Sequence, residues 1–235
     1  MNRNLQCLFL LSAVMLVTTA CAPSLVITPS GGNTADISFS SGISSFGASL
    51  TRRFAGAADQ TTPLYDRSAV KASLEQTGLT VHSLSFPGGD GIDFSGSVSD
   101  FTTLAGSLLS TAPAGKGMII TFSPDSVQQM VHLLPPETRD MLELLMAPVL
   151  TGEVLESSEY LDILAAAYGE SAASEMAASV CTIQIHAPSS IQNLECDGTN
   201  STRVVTGFTG RYGSVQIPLD LLLTLTSPIT LTLYW

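Results

Sequence analysis

Apolar and polar residues alternate from Leu79 to Phe86, stop at Pro87-Gly88-Gly89-Asp90-Gly91, and alternate again from Ile92 to Val98. A period of two turns one strand face to a core and the other to water, so this stretch predicts a β-hairpin. Shorter runs predict strands at 25–28, 35–40, 118–122, 203–208, 215–217 and 229–235. The helical signal is different. Asp66 can cap a helix running to Gln76, with Val70 and Leu74 on one face and Gly78 as the stop. Phe46, Leu50 and Phe54 recur every four residues and predict a helix within 43–58; a short one is expected over 100–109. From Ser123 to Ser179 the pattern is helical, cut by Pro135-Pro136, Pro148, Gly152 and Gly169. Ser123-Pro124 opens the first of these helices, Pro136 starts a second, and Ser157 or Ser158 caps a third. Residues 219–225 read as a short helix or an extended link. Together these elements predict an α+β fold in one domain, 35–235. It has a largely antiparallel sheet, helices packed on one face, and a helical segment at 123–180 between strands.

Composition narrows the partners. Charged residues make up 12% of the chain, about half the usual globular share, whereas serine and threonine total 54. Hydroxyls therefore supply much of the polar surface. The chain has 20 acidic and 9 basic side chains, and Arg3 is the only charge in the first 20 residues. Without those residues the balance is 8 − 20 = −12. Nucleic acid requires a basic face, so it is not an expected partner, and electrostatic docking on anionic lipid is disfavoured too.

The first two dozen residues follow a separate logic. A polar start with one basic residue (Asn2, Arg3, Asn4) leads into an apolar run from Leu5 to Val17. That run is too short to span a membrane, which takes about 20 apolar residues, but suits a secretion signal. Thr18-Thr19-Ala20-Cys21 resembles the lipobox of bacterial lipoproteins, in which small residues precede the cysteine that is diacylated and becomes the mature N-terminus. The leucine usual three residues before the cysteine is replaced by Thr18, with Leu16 and Val17 just upstream; this loosened form resembles spirochaetal lipoboxes. The resemblance covers the first tenth of the chain. It implies a signal peptide at 1–20, lipid attachment at Cys21, and anchoring to the bacterial envelope, at the outer membrane or periplasmic face, through N-terminal acyl chains. Ala20-Cys21-Ala22 also fits soluble export with cleavage after Ala22. Pro23, Pro29 and Gly31-Gly32 make 21–34 an expected tether.

Chemistry is sparse. An exported compartment permits a disulfide, and Cys181 and Cys196 are the candidates. Residues 182–186 and 191–195 could pair across an Ala187-Pro188-Ser189-Ser190 turn, setting the two cysteines opposite each other; two reduced thiols are the alternative. His82, His132 and His186 lie far apart with no metal-ligand spacing, so no metal or cofactor is expected. Ser68-Ala69-Val70-Lys71 matches S-x-x-K, but its companion boxes are absent, and no G-x-S-x-G elbow occurs. No catalytic residue is assigned. Five of the seven methionines, Met118, Met130, Met141, Met146 and Met176, fall in one quarter of the chain. They are candidates for an adaptable apolar pocket, with plain core packing as the alternative. The expected protein is a lipid-anchored envelope protein that binds an apolar small molecule or an envelope partner. A structural or assembly role is the alternative, and a hydrolase with an unfamiliar site a weaker one.

Overall fold

The computed structural model describes residues 23–42, 48, 52, 65–102, 108–113, 116–132, 147–198 and 201–235. Cys21, all but residues 48 and 52 of the helix expected within 43–58, most of that over 100–109, and the one expected to start at Pro135-Pro136 lie outside them.

Eleven strands among the described residues form two sheets. Strands β1 (Ser24–Gly31) and β2 (Thr34–Gly42) make a hairpin whose corner needs the left-handed backbone of Gly31 and Gly32. The strongest alternating stretch forms the expected second hairpin, β3 (Leu79–Ser85) and β4 (Gly91–Val98), with a bulge between Val81 and Ser83. Strands β7 (Val180–His186), β9 (Val205–Thr209) and β10 (Tyr212–Pro218) complete the larger sheet. Its order is β3-β4-β2-β1-β7-β10-β9. Every pairing in it is antiparallel except β1 with β7. The smaller sheet runs β5 (Leu109–Thr111), β6 (Gly117–Phe122), β11 (Ile229–Tyr234), β8 (Asn193–Gly198), all antiparallel. The fold is α+β, as the pattern predicts.

The two sheets face each other across the core. Leu25, Ile27, Ile37, Ile183, Ile185, Val215 and Ile217 line the inner face of one; Met118, Ile120, Ile229, Leu231 and Leu233 line that of the other. At Gly213 the sheets come so close that a Cβ would lie 3.2 Å from side-chain carbons of Leu233 and Ile191. The helices feed the same core. They are α1 (Arg67–Gln76), α2 (Pro124–His132), α3 (Pro148–Thr151), α4 (Ser157–Tyr168), α5 (Glu170–Ala178) and α6 (Leu219–Leu223). Tyr160 and Leu164 of α4 and Leu221 to Leu223 of α6 are buried in it.

Local chemistry explains the helix ends. The Asp66 carboxylate accepts from the Ala69 N–H at 2.8 Å, as expected. Ser123 and Ser126 cap α2 reciprocally, each hydroxyl accepting from the other's backbone N–H. The cap of α4 differs from expectation: it is Glu156, in a box with Glu159, and Ser157 is already helical. Pro148 opens the short α3, where a helix end was expected, because proline suits a first turn.

The strand expected at 25–28 forms and is longer, so residues 24–31 of the expected tether are β1, the middle strand of the larger sheet; Leu25 and Ile27 bury the apolar half of its alternation. Another expectation is overturned. Residues 182–186 and 191–195 do not pair with each other. The intervening segment instead bonds to the β9–β10 turn, through Ala187 N–H to Arg211 O and Ile191 N–H to Gly210 O, both 2.8 Å. The chain thereby crosses from one sheet to the other. Cys181 sits opposite Ile217 and Cys196 opposite Leu231, and both are free thiols.

Candidate functional site: the open face of the larger sheet

The outer face of the larger sheet follows from its register. Side chains directly opposite each other in neighbouring strands point the same way. One row across the sheet reads Ser83, Ser95, Ser38, Val26, Gln184, Ser214 and Gly207. A second, toward the start of β1, reads Ser85, Asp93, Ser40, Ser24, Thr182, Gln216 and Val205. A third, on the other side, joins Thr80, Ser97, Asp36 and Thr28 and comes level with His186, Tyr212 and Thr209. These three rows contain two carboxylates and no lysine or arginine. Ser38, Asp36, Gln184, Ser214 and Gln216 are exposed.

Several of these groups hold one another. The Ser83 and Ser95 hydroxyls are 2.7 Å apart, and Ser40 donates to Asp93 at 2.6 Å. Such bonds fix hydroxyl positions before any ligand arrives, which lowers the ordering cost of binding. At one end of the third row the Tyr212 ring, 58% exposed, meets His186 edge-on with centroids 5.0 Å apart. A half-anchored aromatic beside an array of hydroxyls and amides can stack on an apolar ligand face while its neighbours hydrogen-bond.

The histidines are not gathered. His82 hydrogen-bonds Ser97 at 3.1 Å, while His186 lies four strands away, about 19 Å. A histidine touching a serine invites a nucleophilic reading. This pair, however, stands on the exposed outer face at the edge strand β3, with His82 in the bulge between Val81 and Ser83. Among the described residues no third group is seen to orient the ring. The side chain of His132 lies outside the described residues.

The cysteines have the electrostatics of core residues. Burial pushes the Cys181 thiol up to about 11. Burial, and then the neighbouring charge of Asp197, also raise Cys196. Thiols kept protonated are weak nucleophiles. Met118 is fully buried on β6 and Met176 half-buried against the core, so these two serve packing. Met141, Met146 and the side chain of Met130 lie outside the described residues. Among the described residues no cluster of His, Cys, Asp or Glu suits a metal ion.

A buried polar cluster escaped sequence reasoning. Asp220, 1% exposed, accepts from Arg203 Nη2 at 2.7 Å through Oδ2. Arg203 Nη1 donates to Ser157 Oγ at 2.8 Å, and that hydroxyl is 3.0 Å from Thr224 Oγ1, which donates to the Asp220 carbonyl. Oδ1 of Asp220 is buried without a hydrogen-bond partner. The cluster ties α4, the turn Ser201–Arg203 and α6 together. Its one signal in the sequence is an acid inside the apolar run Leu219-Asp220-Leu221-Leu222-Leu223.

No family model, curated protein or solved structure matches this chain.

Proposed function

We propose that this chain is a lipid-anchored envelope protein, held through Cys21, that binds a neutral, hydroxyl-rich polymer of the cell envelope along the open face of its larger sheet. One observation carries the reading: three registered rows rich in serine, threonine and glutamine, with two aspartates and no lysine or arginine, the third of them carrying the exposed Tyr212. The absence of lysine and arginine from these rows disfavours anionic polymers, and the sparse apolar content disfavours a greasy ligand. This reading moves the candidate binding surface away from the methionines.

The test is affinity electrophoresis or pull-down of the domain beginning at Ala22 on neutral and on anionic envelope polysaccharides. Retention on the neutral polymer is expected, weakened about fivefold or more by Tyr212→Ala, a loss of about 1 kcal/mol. Equal retention of the variant, or preference for the anionic polymer, defeats the proposal.

A second reading has its own support. β9 is an edge strand exposed along its whole length, with Val205 63% and Phe208 46% exposed. An uncharged open edge can accept a strand from another chain, which would make the protein an assembly component. Concentration-dependent dimerisation abolished by Phe208→Lys, with no polysaccharide retention, would favour that role.

A further inference from the structure

We infer that the lipidated protein stands its larger sheet upright on the bilayer, with the end where β1 begins against the headgroups and the Tyr212–His186 end turned away. The inference rests on the Cys21 anchor proposed above and adds a direction to it. Only Ala22 and Pro23 separate Cys21 from Ser24. Three residue steps of extended chain reach about 10 Å. Pro23 is already held, since its carbonyl accepts from the Thr182 N–H at 2.8 Å. Ser24 lies in the middle of seven strands, paired to Ser40 on one side and Thr182 on the other. An acyl chain attached at Cys21 therefore brings this sheet end to the membrane surface with no spacer to let the domain turn over.

At the β1-start end lie the Asp90–Arg52 pair, the buried Asp220 with Arg203, and Asp93 on the outward face. The opposite end holds the β1–β2 corner at Gly31 and Gly32, the β9–β10 turn at Gly210, and the end of the last strand. Ile191 N–H donates to Gly210 O and Gln192 N–H to Tyr234 O, which fixes Trp235, the only tryptophan, at that far end. On β2, Ser40 and Asp36 lie on the same outward face, four residues or about 13 Å apart along the strand.

The experiment uses the full acylated protein on phosphatidylethanolamine–phosphatidylglycerol vesicles carrying a nitroxide on the headgroup. Trp235 fluorescence of the unaltered protein should be left unquenched by the labelled lipid. In a Trp235→Phe background, Ser40→Trp should be quenched at least twofold more than Asp36→Trp. Ten Gly/Ser residues inserted between Ala22 and Pro23 should erase that difference. Quenching of Asp36→Trp equal to or above that of Ser40→Trp, or strong quenching of Trp235, overturns the orientation while leaving the anchor intact. Failure of the protein to float with vesicles removes the anchor, and the orientation with it.

Discussion

Gly213 shows how much a missing side chain can matter. Its hydrogen faces Leu233 and Ile191 across the core, and any Cβ must push both by a few tenths of an ångström. The tips of flexible side chains yield cheaply to alanine and less so to a branched residue. Gly213→Val should cost about 2 kcal/mol and Gly213→Ala about 1, read by urea denaturation. Cys181 makes a prediction in pH. Below about 9 its thiol is neutral whether the chain is folded or not, and its contribution is fully present. As pH rises from 9.0 to about 11 the unfolded thiol ionises while the buried one resists, so that contribution is lost. The folded protein should lose about 2 kcal/mol across this window. Cys181→Ala should flatten the difference, measured as paired urea midpoints at pH 8, 10 and 11. Neither residue could be valued from the sequence, because both depend on what stands opposite.

At the scale of elements, the hairpin of β3 and β4 and the Asp66-capped α1 were legible because their signals are local. Alternation and a cap act within a few residues. β1 was read only as a possible strand within a tether, since prolines and glycines at its ends look like a linker until its partners are known. The false hairpin across 187–190 has the same origin: a turn signature names a change of direction, not the strand that receives the chain. The open-face rows were visible only as scattered serine–apolar alternation, and register was needed to align them. The Arg203–Asp220 pair joins elements distant in the chain and makes a further prediction. Arg203→Met strands a buried carboxylate. Breaking a fully buried pair costs several kcal/mol. Arg203 is 40% exposed, and water screening reduces the expected loss to about 2 kcal/mol. The double variant Arg203→Met/Asp220→Leu should recover part of it in the same denaturation assay.

For the whole molecule, charge works against the membrane contact that the proposed anchor would make. An unacylated form of residues 21–235 should remain in the supernatant when anionic vesicles are sedimented, even at low ionic strength, because its net charge of 8 − 20 = −12 repels them. Among the described residues no helix is long and apolar enough to cross a membrane. The parallel union of β1 with β7 has a consequence in time as well as in space. Ser24 waits for Thr182, so the centre of the larger sheet cannot zip until 182 of 235 residues exist. The four strands β3-β4-β2-β1 lie within residues 24–98 and can pair early, so a half-sheet stands ready long before its other half is made. Until β7 emerges, the second edge of β1 stays open as a template for a wrong strand.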